Sequence, residues 1–198
     1  VSTGFLRNES RCRPRNKRKL DLYRLALADK DARAALYACN SFLDMIHTRR
    51  EETIPFPVSD AFISSIVTCY ARPFTINDFP GVLPKQWSKF SGQRLQAAHR
   101  EMLRLRHELF AHSDPTIHKM RIIPAGVGMR RIGRNAPKTS YLIQSELIPP
   151  WRVVGFRDAC VDLQARLEKS ISELLDELYG GMDLPKAEFS LRLDDDGL

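Results

Sequence analysis

The sequence predicts a mainly α-helical fold, an up-and-down four-helix bundle with a β-hairpin inserted between the third and fourth long helices. Three observations predict it. Apolar residues recur in steps of three and four over four separate stretches. Prolines, glycines and capping residues mark the ends of those stretches. Two short β-capable runs fall between the third stretch and the fourth.

The first helix is expected over 20–50, where Leu22, Leu25, Ala32, Leu36, Cys39, Leu43 and Ile46 make one apolar stripe and Asp29 interrupts it with a jog. Pro55 and Pro57 exclude its continuation. A second helix is expected from a Ser59 or Asp60 cap to Pro73, apolar almost all round and therefore buried. Residues 74–90, rich in aromatics and prolines, read as a long irregular connection lying over the core. The third helix is expected over 93–112, with Leu95, Ala98, Met102, Leu105 and Leu109 in 3/4 spacing and His112 as the next member of the series. Ser113, Asp114 and Pro115 end it. "MRII" and "YLIQSELI" then flank a Gly- and Arg-rich stretch, which reads as a hairpin with a basic tip. The fourth helix, 151–179, buries Val153, Phe156, Cys160, Leu163, Leu167, Ile171, Leu174 and Leu178 and stops at Gly180-Gly181. The chain thus divides into a basic arm at 1–19, a helical domain at 20–181 that includes the basic hairpin at 119–148, and an acidic tail at 182–198.

At 43% hydrophobic and 28% charged residues, the 198-residue chain is expected to form one soluble domain with its own core. It has no apolar run long enough for a membrane span and no hydrophobic secretory segment, which predicts a cytoplasmic protein with no membrane partner. Val1 is not an initiator methionine, so the chain is expected to begin inside a longer protein. Cys12, Cys39, Cys69 and Cys160 lie far apart without a CxxC pair. They read as free thiols, three of them on apolar helical positions. The net charge of +7 is concentrated in residues 1–20, and residues 115–145 add Lys119, Arg121, Arg130, Arg131, Arg134 and Lys138 without a carboxylate. Both segments could meet phosphate, or simply be a solvated tail and loop.

"LRHELFAHSD", residues 105–114, closes the third helix. On an ideal α-helix Arg106 and His112 would lie about 120° apart around the axis and about 9 Å apart along it. Glu108, one turn before His112, is placed to hold the imidazole through an i,i+4 hydrogen bond. This set combines a forked cation, an acid or base that titrates near neutrality and an orienting carboxylate. A histidine ending an apolar stripe can equally be a helix cap, and an arginine near a carboxylate can be a surface pair.

"RHELFAH" resembles the signature of HEPN domains, in which an Arg, often followed by a polar residue such as Asn, Asp or His, precedes a His by four to six positions. Here these are Arg106, His107 and His112. "CYARPF", residues 69–74, is similar to a stretch on the preceding helix of several such proteins. The resemblance covers about residues 20–180 in architecture, but in wording only these two short segments. It implies a HEPN-like bundle and a metal-independent endoribonuclease acting on single-stranded RNA as a homodimer, with no cofactor. His112 would be the acid or base, Arg106 the phosphate cation, His107 a helper and Glu108 the orienting group. RNA contacts would come from Arg72, Tyr70, Arg121, Arg130, Arg131, Arg134 and Lys138. Some members are toxins or phage-defence effectors, which leaves an antitoxin protein open as a partner. In members silenced by nucleotide transfer a Tyr lies two past the His, a position held here by Asp114. Others have lost activity, so a non-catalytic helical adaptor and an RNA-binding module stay open as alternatives. None of His47, His99 and His118 shows paired ligand spacing with a carboxylate or thiol, and there is no Gly-rich phosphate loop or GxSxG elbow.

Overall fold

The computed structural model describes residues 14–48, 56–76, 80–110, 119–126, 128–129, 134–135, 138–144, 148–184, 186–188 and 190–191. The protein is mainly helical. Four α-helices, α1 (Pro14–Thr48), α2 (Phe56–Ala71), α3 (Gln93–Leu105) and α4 (Pro150–Tyr179), pack around one core. A 3-10 turn at Arg72–Phe74 extends α2, another at Lys85–Ser88 lies in the connection to α3, and a π-helical turn at Arg106–Phe110 extends α3.

The inner face of α1 is built from Leu22, Leu25, Ala28, Ala32, Ala35, Cys39 and Phe42, all buried. Small alanine side chains along this face let α2 and α4 approach closely, and α1 packs on both. From α4 the core receives Val153, Phe156, Cys160, Leu163 and Leu167, and truncating a side chain such as Phe156 in this setting costs about 3–5 kcal/mol. Cys39 and Cys160 are wholly buried, and Cys39, Cys69 and Cys160 are free thiols.

Ion pairs and ring contacts give the relative directions of the helices. Arg18 meets Glu177 at 3.0 Å and Arg33 meets Glu168 at 2.7 Å, so position rises along α1 as it falls along α4. Arg94 with Asp158 and Arg152 with Glu101 set α3 against α4 in the same way. Arg72 with Asp31 and Phe62 with Phe42 do so for α2 and α1. All three pairs are antiparallel. Strand β1 (Lys119–Ile123) pairs antiparallel with β4 (Ser140–Gln144), Lys119 opposite Gln144 and Ile123 opposite Ser140. Between them, β2 (Gly128–Met129) pairs with β3 (Arg134–Asn135).

Several boundaries differ from expectation. α1 starts at Pro14, inside the stretch read as an arm, because proline is tolerated in the first turn and because Lys19 is buried while Arg18 reaches Glu177 of α4. No jog occurs at Asp29, whose carboxylate accepts from Arg33 one turn on, at 2.7 Å. α2 begins at Phe56 with Pro57 in its first turn, ahead of the expected cap. α3 leaves α-helical geometry at Leu105 instead of running to 112. In the 74–90 connection Leu83 and Trp87 are buried, and the Leu83 N–H donates to the Pro73 carbonyl at 2.8 Å. Glycine ends α4, with the Gly180 N–H on the Asp176 carbonyl and Gly181 at φ +79°. Among the described residues no helix is long and apolar enough to cross a membrane.

Candidate functional site

The motif begins where α3 changes geometry. α3 buries Ala98, His99, Met102 and Leu105 on one side, which holds the helix firmly up to its last α-helical residue. Arg106 follows, its N–H shared between the Leu103 and Met102 carbonyls, and residues 106–110 wind as a π-helical turn. Such a turn spaces its hydrogen bonds one residue wider than an α-helix and is frequent at functional sites. Angles reckoned for an ideal α-helix therefore do not carry through this segment. Arg106 is half-buried and His107 exposed. Glu108, expected to hold His112, forms an ion pair with Arg104 on the preceding turn. That pair engages one carboxylate oxygen of Glu108, and the expected bond to His112 falls on a residue outside the described ones. His112 lies outside the described residues, as does Asp114.

The residues predicted to contact RNA fall on different elements. Arg72 is exposed at the 3-10 turn, where its Nη1 donates to Asp31 Oδ1 at 2.7 Å. Lys138 is exposed just ahead of β4. Arg121 lies on β1 and Arg134 on β3, at positions where the backbone alone is described, while Arg130 and Arg131 fall outside the described residues. Tyr70 offers no face to a base, since it is completely buried, and packing requires it inward. That corrects its expected place among the RNA contacts.

Tyr70 instead belongs to a cluster that the sequence reading passed over. Its hydroxyl and the Nδ1 of His99 share a hydrogen bond of 2.9 Å. His99 is itself buried, its ring 4.8 Å from Phe74, 5.0 Å from Phe90 and 5.8 Å from Tyr70 between centroids. Burial, helped by the nearby charges of Arg166 and Arg100, lowers the imidazole pKa to about 4, so His99 is neutral at physiological pH. Arg166 closes the cluster, its guanidinium 4.4 Å from the Phe90 ring, with Nε donating to Asp162 at 2.8 Å. The signal was present in the chain: Leu95, His99 and Met102 also follow a 4/3 step, and the connection before α3 supplies the aromatic rings.

Another group of charged side chains meets at a groove between α1 and the turn after α2. Arg24, Lys30 and Arg72 line it with Asp31. Among the described residues, no group of three His, Cys, Asp or Glu side chains is arranged to hold a metal ion. Comparison with known protein families, curated protein sequences and solved structures yields no match.

Proposed function

We propose that the protein is a metal-independent endoribonuclease of the HEPN type, cleaving single-stranded RNA as a homodimer. The observation that carries this reading is the change from α- to π-helix at the first residue of the motif. There a half-buried arginine is followed directly by an exposed histidine. The antiparallel pairing of α1 with α2, α1 with α4 and α3 with α4 supports the associated fold, an up-and-down four-helix bundle with a basic hairpin inserted ahead of α4.

RNA brings its own nucleophile. The 2′-hydroxyl oxygen attacks the adjacent phosphorus, the bond to the 5′-oxygen breaks, and a 2′,3′-cyclic phosphate and a 5′-hydroxyl result. One proton leaves the 2′-oxygen and one joins the departing 5′-oxygen. His112 acts as one of these proton-transfer groups, because an imidazole exchanges protons near neutral pH. The Arg106 guanidinium stabilises the charge that develops on the phosphoryl oxygens through paired N–H donors. A two-fold axis near the ends of the two α3 helices brings a second Arg106 and His112 to the same phosphodiester and supplies the other proton-transfer group. His107 assists from the adjacent position. Arg72, Lys138 and the basic residues of the strand region, Arg121, Arg130, Arg131 and Arg134, follow the RNA backbone in a salt-dependent manner. The setting is the cytoplasm, in the role of a toxin or phage-defence effector held in check by an antitoxin protein.

The test is incubation of purified protein with single-stranded RNA in EDTA, followed by end-group analysis. Cyclic-phosphate ends are expected from the wild type, with a loss of about 10²- to 10⁴-fold in His112→Ala. Cleavage that is unchanged by this substitution refutes the assignment. A second reading, a non-catalytic helical adaptor or RNA-binding module, draws on Glu108, which is engaged with Arg104, and on the large exposed side chains Tyr37 and Trp151. It predicts no product from the wild type under any of these conditions.

A further inference from the structure

The groove beside Arg72 is built from parts distant in sequence and has a consistent chemistry. It opens between the middle of α1, the 3-10 turn after α2 and the chain at Pro80 and Gly81, with a volume of about 640 Å³, a size suited to a small organic ligand. Three cations face it, and two of them are held in place by neighbouring acceptors. Arg24 donates from Nε to the Pro80 carbonyl at 3.0 Å and from Nη1 to Asp21 at 2.8 Å. Arg72 is oriented by Asp31 at 2.7 Å, and Asp31 is itself buried. Lys30 adds an exposed ammonium at the rim.

The backbone is shaped to the same end. Gly81, at φ +84°, adopts a backbone conformation that favours glycine and carries the chain past Arg24 at van der Waals distance. The bond from the Leu83 N–H to the Pro73 carbonyl fastens this strand of chain to the turn that carries Arg72. Asp31 also lines the groove, and with Asp21 and Asp31 both ionised the charges of Arg24, Lys30 and Arg72 still leave it net positive. One wall is apolar: Pro73 lines it, and Ile76 stands at the rim with 96% of its surface exposed.

We infer that this groove is a binding site for a nucleotide phosphate, with the phosphate on Arg24, Lys30 and Arg72 and the organic body against Pro73 and Ile76. Guanidinium forks match the oxygen geometry of phosphate, and positioning by carboxylates and a carbonyl lowers the ordering cost of binding. Asp31 is a positioning residue, since it acts through Arg72. The same chemistry is offered by a free mononucleotide and by a nucleotide within an RNA strand. The site shares Arg72 with the proposed RNA path but does not depend on Arg106 or His112, so its failure is distinguishable from failure of the ribonuclease reading.

Calorimetric titration of the full chain with adenosine monophosphate, inorganic phosphate, adenosine and a short single-stranded oligoribonucleotide tests it. Adenosine monophosphate is expected to bind more tightly than either inorganic phosphate or adenosine, and more weakly as salt is raised. Lys30→Glu is expected to weaken it about tenfold or more through charge reversal at an exposed position that leaves the core intact. Ile76→Ser, equally exposed, is expected to erase the advantage of adenosine monophosphate over inorganic phosphate. His112→Ala should bind as the wild type does. Competition by the oligoribonucleotide that is sensitive to Lys30→Glu assigns the site to an RNA strand, and its absence assigns it to free mononucleotide. Either result supports the shared chemistry. Adenosine binding as tightly as its monophosphate, no binding of any phosphate probe, or indifference to Lys30→Glu would overturn the inference.

Discussion

The two ends of the third helical segment use histidine in opposite ways. Near its start, His99 is enclosed by Phe74, Phe90 and Tyr70, hydrogen-bonded to a phenol and uncharged. Near its end, past the change to π-helical geometry, His107 is exposed beside a half-buried Arg106. One end spends its polar groups on satisfying the core, while the other keeps them at the surface. The same residue type therefore reads as packing or as chemistry according to what the neighbouring elements supply. At His99 they supply three rings and a hydroxyl, and little remains to react with a substrate.

The sharpest way to test this contrast is to compare variants from the two ends. Arg106→Ala is expected to lower RNA cleavage by about 10²- to 10³-fold, as removal of a transition-state donor does, while the thermal midpoint stays close to that of the wild type. A fall in stability with no change in cleavage would make this end structural as well and erase the distinction. The next largest effect is a pH dependence. An unfolded chain takes up the His99 proton near its ordinary pKa of 6.5, whereas the folded protein does so only near 4. Between those values the unfolded state binds more protons, so stability falls as the pH drops from about 6.5 to about 4 and His99 adds no slope outside that window. The total is up to about 3 kcal/mol. Denaturant titrations across this range should show the loss in the wild type and a flatter profile in His99→Leu. An equal slope in both proteins would remove His99 from the explanation. The smallest effect belongs to Tyr70→Phe, which takes the hydroxyl away from a buried imidazole and is expected to destabilise the protein by about 1–3 kcal/mol. Cleavage by that variant should match the wild type once both are fully folded.

What could be read in the chain follows a physical divide. α4 was legible almost residue by residue, because a helix with one dry face repeats its apolar side chains every three or four positions and here Val153, Phe156, Cys160, Leu163 and Leu167 do so. The start of α1 was not, since Lys17, Arg18 and Lys19 look like a solvated arm until Glu177, far along the chain, is placed beside Arg18. The turn of geometry at Leu105 also escaped detection, as the apolar series continues across it to Leu109 without a break. The surroundings of His99 were not legible, because its phenol and aromatic partners come from other elements and leave no local spacing pattern. Arg24 was hidden for the same reason, and Arg72 was named without its groove, which exists only once α1, the turn after α2 and Pro80 come together. Arg106, His107 and Glu108 lie in the π-helical turn that follows α3, where Glu108 pairs with Arg104.

The sulfhydryls of Cys39 and Cys160, shut inside the contact between the first helix and the last, have a practical use. An alkylating reagent can reach them only when those two helices part, so their modification rate is a clock for the opening of the whole fold. The clock needs no label and no knowledge of the reaction. It would register any ligand that holds the protein shut.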